Sequence, residues 1–162
     1  MSLVEEIKAV AIGERQEVAL KEFISLKEDL IKKYDELGMR ASGKWANNLT
    51  VNQTKLSTKL EGMNYTYWLV HGRKGGTLPP IQALKKWVVD KGIASELKEV
   101  TSIAWAVAKT IQKKGTRYYQ QGGTDLIDSV ITPQRMQSII DKVGAGLVIK
   151  ITPIFTKYIS NE

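Results

Sequence analysis

The sequence predicts an α+β fold: a small antiparallel sheet of about four strands, packed by helices and preceded by a long N-terminal helix. In residues 4–37, and again after residue 80, apolar residues recur at steps of three and four, which is the spacing of amphipathic helices. Between Trp45 and Val70 they recur at every second position, which is the spacing of half-buried strands. The chain of 162 residues, 43% hydrophobic and 25% charged, is long enough to bury one ordinary core.

Residues 1–38 are predicted to form a helical segment, with a break near Gly13 left open. The apolar stripe of this helix consists of Phe23, Leu26, Leu30, Tyr34 and Leu37. Gly38 stands where a glycine commonly ends a helix. The segment either packs on the domain or extends towards a neighbouring molecule, and the sequence favours neither alternative.

Three runs of alternating residues predict an antiparallel meander over residues 49–51, 53–61 and 65–70. In the second run leucines, Leu56 among them, alternate with polar residues, so one face of this strand is predicted to be buried. A turn that contains Gly62 separates it from the third run. The third run is apolar on both faces, which is typical of a central strand.

The second half of the chain is predicted to alternate helices with loops and to end on a strand. In order, its elements are a Gly/Pro loop over 71–80, a helix opened by Pro80 and ended by Gly92, a helix capped by Ser95 and ended by Gly115, a helix begun by Thr132-Pro133, and a strand over 147–151. Since no linker divides the chain, we predict a single domain over 1–162, with an α+β core at 45–151 and a tail at 152–162.

The net charge of +7 is confined to one part of the chain. Residues 71–120 hold ten lysines and arginines against three acidic residues, whereas the segments on either side are each neutral. Such a local excess attracts nucleic acid or an acidic protein surface. The alternative is that these lysines cover the solvated faces of two helices and bind nothing.

The residue types present argue against catalysis and against a bound metal or cofactor. The chain has no cysteine and one histidine, His71, whose nearest carboxylates along the sequence are Glu61 and Asp90. A catalytic triad needs a nucleophile, a base and an acid side by side, and zinc sites draw on histidine, cysteine and carboxylates. Asp125 and Asp128 are predicted to stabilise the start of a helical turn. The chain is therefore predicted not to be an enzyme.

Membrane insertion and secretion are also not expected. No apolar run approaches the roughly 18 residues of a membrane helix. The N-terminus has no basic segment followed by an apolar one, which is the pattern of a signal peptide.

The loop from Gly72 to Thr77 is the candidate contact segment. Its glycines allow close approach, and Arg73 and Lys74 can neutralise an anion, so it weakly resembles a phosphate cradle. Its spacing differs from G-x-x-x-x-G-K-[ST], however, and no helix follows directly. We therefore predict a basic loop, with Arg73, Lys74, Gly75 and Gly76, that contacts DNA phosphates without reading sequence or docks on a neighbouring subunit.

Two tryptophans are assigned different roles. Trp87 lies on the apolar stripe of its predicted helix and is expected in the core. Trp105 falls off the stripe of the next helix, which leaves two alternatives: packing within the chain, or contact with another subunit, where tryptophan is enriched.

Between Tyr65 and Arg117 the chain carries a series of short elements in fixed order. They are an aromatic run at Tyr67 to Val70, Gly72-Arg73, a glycine at Gly75 or Gly76, Pro79-Pro80, Trp87, Lys91-Gly92-Ile93, a helix from Ala104 to Ile111, and Gly115-Thr116-Arg117. Together they resemble a family of tailed-phage neck and tail proteins, known as minor tail, head–tail joining or tail-completion proteins. The family usually has a proline where Lys74-Gly75 stands, and Tyr118 to Gly123 depart from its pattern.

The resemblance implies a structural virion protein of a tailed bacteriophage, located in the neck or head-proximal tail and assembled in the host cytoplasm. It implies a homomeric ring of six-fold or twelve-fold symmetry around the DNA channel, docked on portal, neck or tail proteins. The expected oligomer or channel contacts are Arg73, Lys74, Gly75, Gly76, Trp105 and Arg117. Non-specific contact with phage DNA is compatible with the basic region. The alternative is a small, basic, non-enzymatic nucleic-acid-binding protein.

Overall fold

A computed structural model of the chain describes residues 3–55 and 57–159. Its elements in order are α1 (Leu3–Glu36), α2 (Lys44–Asn47), β1 (Thr50–Gln53), β2 (Thr58–Glu61), α3 (Thr66–His71), α4 (Ile81–Asp90), α5 (Leu97–Lys114), α6 (Arg117–Gln120) and α7 (Pro133–Ile159). They form two compact units. The first contains the chain up to Asp29, Leu49–Glu61 and the residues from Val130 onwards, and the second contains Leu30–Asn48 and Gly62–Ser129.

The α+β class and the long N-terminal helix are confirmed. Helix α1 runs for 34 residues without a break at Gly13. It ends in a Schellman motif, in which Gly38 has a φ of 64° and donates to Asp35 O, while Met39 N donates to Tyr34 O. The predicted end of this helix at Gly38 is therefore confirmed.

The sheet is smaller than predicted: the described residues contain two strands instead of about four. Strands β1 and β2 are antiparallel, with Thr50 opposite Glu61 and Gln53 opposite Thr58. The turn between them is closed by Thr54 N, which donates to Ser57 O at 2.8 Å. Leu56, predicted to lie in a strand, falls outside the described residues.

The third predicted strand, residues 65–70, is wrong, since helix α3 occupies this segment. The run is apolar on both faces, and such a short run has no periodicity that separates a strand from a helix. The start of α3 is fixed by Thr66, whose Oγ1 donates to Met63 O at 2.6 Å and accepts from the indole Nε1 of buried Trp45 at 2.9 Å. Tertiary hydrogen bonding thus decides the conformation here.

The fourth predicted strand, residues 147–151, is also wrong, because α7 continues through it to Ile159. The predicted helix start is confirmed, as Thr132 Oγ1 accepts from Arg135 N at 3.1 Å. The sequence Gly144-Ala145-Gly146 favours a break in the helix, yet α7 runs through both glycines. A Cβ at Gly146 would lie 2.9 Å from Glu14 Oε1 and 3.4 Å from Val18 Cγ2, so this glycine lets α7 approach α1 closely.

Opposite charges face each other between α1 and α7 in the first unit. The three ion pairs, with their N–O distances, are Asp29–Arg135 at 2.6 Å, Glu22–Lys142 at 2.7 Å and Glu14–Lys150 at 3.8 Å. All acids lie on α1 and all bases on α7, at intervals of seven or eight residues, so the pairs fix an antiparallel register. Leu26, Leu49, Val130 and Ile139 are the buried apolar residues of this unit.

The second unit is built on α4 and α5, which pack on each other through small and branched residues. Its fully buried members on these helices include Val88, Ala104 and Ala108. Trp45 is also fully buried and stacks on Tyr34, with ring centroids 4.7 Å apart. Trp87, expected in the core, is 37% exposed, because Val88 is the residue of α4 that faces inward. That prediction is wrong.

Candidate functional site

The predicted contact loop, Gly72–Thr77, is held against the end of α5 and the start of α6. Three hydrogen bonds hold it: Thr116 N donates to Arg73 O at 2.9 Å, Arg73 N donates to Thr116 Oγ1 at 2.9 Å, and Gly76 N donates to Gln112 O at 2.7 Å. We call the Gly72–Thr77 loop together with Gln112–Tyr119 the junction. Two segments about forty residues apart in sequence are thereby fixed side by side.

Two glycines make this close approach possible. A Cβ at Gly72 would lie 2.2 Å from the backbone N of Tyr119, and a Cβ at Gly115 would lie 2.7 Å from Arg73 O. Both distances are far shorter than any real carbon contact. Both residues also have positive φ, 71° and 80°, which disfavours other residue types. The junction therefore requires glycine at both positions.

An open cleft of about 410 Å³ lies beside the junction, between α3 and α6. Its walls carry Tyr67, Trp68, His71, Lys74 and Tyr119, and we call this group the aromatic cleft. Tyr67 meets Trp68 edge-on at a centroid distance of 5.1 Å and His71 at 4.5 Å. Tyr67, Trp68 and Tyr119 remain 58%, 53% and 42% exposed, so the cleft presents large rings to solvent.

The sequence did not predict this cleft, because Tyr67 and Trp68 were assigned to opposite faces of a strand. In α3 they lie one residue apart on a helical turn, with His71 one turn further along. The exposed pair of neighbouring aromatic residues was the available signal. The partner wall, which carries Tyr119, depends on the tertiary contact between α3 and α6.

The sequence segments that form the cleft and the junction are rich in basic residues. Residues 62–89 and 100–124 contain no aspartate or glutamate. They contain eight basic residues: Arg73, Lys74, Lys85, Lys86, Lys109, Lys113, Lys114 and Arg117. Within residues 3–55 and 57–159, only Lys86 of these eight forms an ion pair, with Asp90 at 2.9 Å. The other charges are available to an anionic partner.

Five of the six predicted site residues lie at the junction, and the sixth, Trp105, lies elsewhere on α5. Arg73 is half-buried and folds back on Thr77, its guanidinium donating to Thr77 Oγ1 at 2.9 Å. Lys74 is exposed and lines the cleft, and Arg117 is exposed at the start of α6. The last two site residues of the loop are Gly75, which packs on α5, and exposed Gly76.

Trp105 is 44% exposed on α5 and does not line the cleft. It lies ten residues before Gly115, which corresponds to about 15 Å along the helix. It is therefore a separate surface feature from the junction, and it is not part of the apolar core.

The acidic pair predicted at a helical turn has a different structural role. Asp125 directly precedes a series of turns and Asp128 lies within it, so neither carboxylate lies at the start of a helix. Lys33 Nζ donates to Asp125 Oδ2 at 2.6 Å, and this hydrogen bond lowers the pKa of the Asp125 carboxyl below its ordinary value. The Asp125 carboxylate is therefore stabilised by an ion pair with Lys33, a residue distant in sequence, rather than by a helix terminus.

Residues 3–55 and 57–159 contain no group of three histidine, cysteine, aspartate or glutamate side chains placed to hold a metal ion. Over the same residues, no helix combines the length and the apolar character needed to cross a membrane.

Comparison of the chain with protein-family models, with curated proteins and with solved structures found no significant match.

Proposed function

We propose that the chain is a non-catalytic structural protein of a tailed-bacteriophage virion. In this proposal it forms a homomeric ring of six or twelve copies in the neck or head-proximal tail, around the channel that DNA crosses. The observation that carries the proposal is the composition of the junction, which holds five basic residues (Arg73, Lys74, Lys113, Lys114 and Arg117) and no carboxylate. A protein that surrounds passing DNA needs positive charge that meets phosphates without reading bases.

The geometry of the junction supports the resemblance on which the proposal draws. Two of the quoted motif elements, Gly72-Arg73 and Gly115-Thr116-Arg117, are hydrogen-bonded to each other. Their glycines are required by backbone contact, and Thr116 supplies both a side-chain acceptor and a backbone donor to Arg73. The spaced elements of the motif are thus parts of one structural device, rather than unrelated glycines.

A closed ring of identical subunits needs two different surfaces on each subunit. One candidate is the face of α5 that carries Trp105, with exposed Lys109 one turn later. The other candidate is the exposed surface of α7, on which Ile140, Val148 and Ile149 are 60%, 64% and 70% exposed. Large apolar side chains of this kind are typical of surfaces that become buried on assembly.

The proposed partners follow from the same position. Portal, neck or tail proteins would stack on the ring, and the protein would assemble in the host cytoplasm before being incorporated into the virion. DNA would contact the junction through its phosphates and would supply no sequence preference.

A second candidate function is a free nucleic-acid-binding protein, which the aromatic cleft favours. Exposed aromatic rings beside basic residues are the surface on which unpaired bases stack. This candidate differs from the first in its assembly state, because it would act as a monomer or dimer outside the particle.

The test is a reconstruction of the phage particle encoded by the same genome. We expect density for this chain in a ring with a multiple of six copies, with the end of α5 directed towards the channel. A single copy per particle, or absence of the chain from purified particles, would overturn the structural role. Absence combined with DNA binding by the isolated protein would support the second candidate instead.

A further inference from the structure

We propose that the aromatic cleft binds single-stranded nucleic acid, with unpaired bases stacked on Trp68, Tyr67 and Tyr119 and the phosphate backbone crossing Lys74. This inference deepens the contact with nucleic acid that both candidate functions include, and it rests on that contact. It adds a defined site and a preference for unpaired strands, which a basic surface alone does not supply.

The aromatic rings of the cleft are exposed to solvent. Tyr67, Trp68 and Tyr119 lie on two elements and line one cleft, yet each keeps two fifths or more of its surface in solvent. Aromatic side chains usually bury most of their surface in a core or an interface. Three exposed rings around one concave surface indicate a ligand with flat, apolar faces.

The cleft also carries positive charge. Lys74 lies in the cleft, and Arg117 lies two residues before Tyr119. No carboxylate occurs in residues 62–89 or 100–124, so a phosphate placed there meets no acidic side chain from either wall. A ligand that combines flat rings with negative charge fits both features, and a nucleotide strand is such a ligand.

Hydrogen bonds hold both walls of the cleft in place. Thr124 fixes the end of α3, since its backbone N donates to Val70 O at 2.7 Å and its Oγ1 donates to Leu69 O at 3.1 Å. Beyond the end of α3, Arg73 is bonded to Thr116 at the start of α6. The two walls are therefore held in place before any ligand arrives, which lowers the entropic cost of binding.

Unpaired bases fit this site better than a duplex does. In a duplex the flat faces of the bases are covered by their neighbours, and only phosphates and groove edges are accessible. In a single strand each base offers a free face to an aromatic side chain, whatever its identity. We therefore expect the cleft to favour single strands with little sequence preference.

The experiment measures fluorescence anisotropy of a labelled oligothymidine and of a labelled duplex of the same length, each titrated with the full chain. We expect tighter binding of the single strand. Trp68→Ala should weaken single-strand binding about tenfold, which matches the loss of one stacked base, and should change duplex binding by less than about twofold. Trp68→Phe should retain most of the affinity, because it keeps a ring.

The matched control is Trp87→Ala, which removes a partly exposed tryptophan of α4 that does not line the cleft. It should leave both affinities unchanged. Tyr119→Ala, on the opposite wall, provides a second variant if Trp68→Ala lowers the melting temperature. Circular dichroism of each variant identifies those that fold.

Three outcomes would overturn the inference. Equal loss of single-strand and duplex affinity in Trp68→Ala would show that stacking plays no part. Unchanged single-strand affinity in both Trp68→Ala and Tyr119→Ala would exclude the cleft. Competition by a polyglutamate peptide as strong as that by oligothymidine would show a site for acidic proteins. These binding measurements do not report whether the chain is part of the virion. The reconstruction of the particle tests that role separately.

Discussion

At the scale of single residues, the junction depends on the absence of side chains more than on their presence. Gly72 and Gly115 each stand where a Cβ would overlap the backbone of the other segment, and each has a positive φ. Two of the three hydrogen bonds that join the two segments are made by Thr116. The glycine-rich composition of the loop could be seen in the sequence, but its role as a contact between two backbone segments could not.

Replacing Gly72 by alanine is expected to destabilise the protein strongly. The new Cβ would lie 2.2 Å from Tyr119 N, and backbone cannot move aside as a flexible side chain can. We expect a loss of at least about 2 kcal/mol in the free energy of unfolding, measured by urea denaturation. Gly13→Ala is the control, since nothing lies within 4 Å of a Cβ in that helical position. It should stabilise the protein by about 0.5–1 kcal/mol. Equal stability of Gly72→Ala and wild type would refute the junction.

The ion pair between Asp125 and Lys33 should make stability depend on pH. The hydrogen bond from Lys33 lowers the pKa of the Asp125 carboxyl in the folded protein. A lowered folded pKa stabilises the fold above the unfolded pKa, and this contribution disappears as pH falls through the folded value. Asp125→Asn should therefore reduce the free energy of unfolding at neutral pH, and this difference should shrink as the pH falls through and below the ordinary range of a carboxyl pKa.

The matched control for this change is Asp128→Asn, which removes an exposed carboxylate that forms no ion pair within the described residues. Because Asp125 is about half exposed, added salt should shrink the effect at neutral pH. Denaturant melts at several pH values provide the measurement. A constant difference between Asp125→Asn and wild type across the acid range would contradict the assignment.

At the scale of elements, local signals predicted some elements well and failed at others for a physical reason. The end of α1 at Gly38 and the start of α7 at Thr132 were predicted, since caps are set by a few neighbouring residues. Residues 65–70 and 147–151 were assigned to strands because both runs are rich in residues that favour strands. Both segments contact residues distant in sequence, which a local pattern does not report: Trp45 donates to Thr66 at the start of the first, and Gly146, next to the second, lies close to Glu14 and Val18 of α1.

The register of α1 against α7 is expected to depend on the complementary charges between them. Glu22→Lys should cost about 1 kcal/mol in the free energy of unfolding, because it places two cations where Lys142 and Glu22 now lie 2.7 Å apart. Adding Lys142→Glu should recover most of this loss by restoring an opposite pair. The measurement is a double-mutant cycle by urea denaturation. Additive losses in the double variant would mean that the pair contributes nothing to the register.

At the scale of the whole molecule, the charge excess was predictable and its arrangement was not. The sequence located all seven net positive charges within residues 71–120. The fold adds that five of the basic residues (Arg73, Lys74, Lys113, Lys114 and Arg117) are brought together in the junction and that the aromatic cleft lies beside it. The cleft follows from hydrogen bonds between residues more than forty positions apart, such as Arg73 with Thr116, and no local pattern reports such contacts.

The basic end of α5 should control how DNA affinity responds to salt. Each phosphate neutralised by a lysine or arginine releases a counterion, so the slope of log affinity against log salt changes by about 0.7–0.9 for every phosphate that the protein no longer neutralises. Lys109, Lys113 and Lys114 are exposed, and none has an ion-pair partner among the described residues. Replacing all three by glutamine should therefore reduce the slope by about two to three and weaken binding of every sequence alike.

The control for this change is the replacement of Lys8, Lys55 and Lys59 by glutamine, which removes the same total charge from exposed positions in the first unit. If net charge alone governed affinity, both triple variants would lose the same slope. If the surface around the junction holds the phosphates, only the α5 variant should show a reduced slope. The melting temperature of that variant should stay close to that of wild type, because exposed lysines contribute little to folding. Anisotropy titrations at four or more salt concentrations separate these results. An unchanged slope in the α5 variant would place the DNA contact elsewhere and would remove the main support for a channel-facing junction.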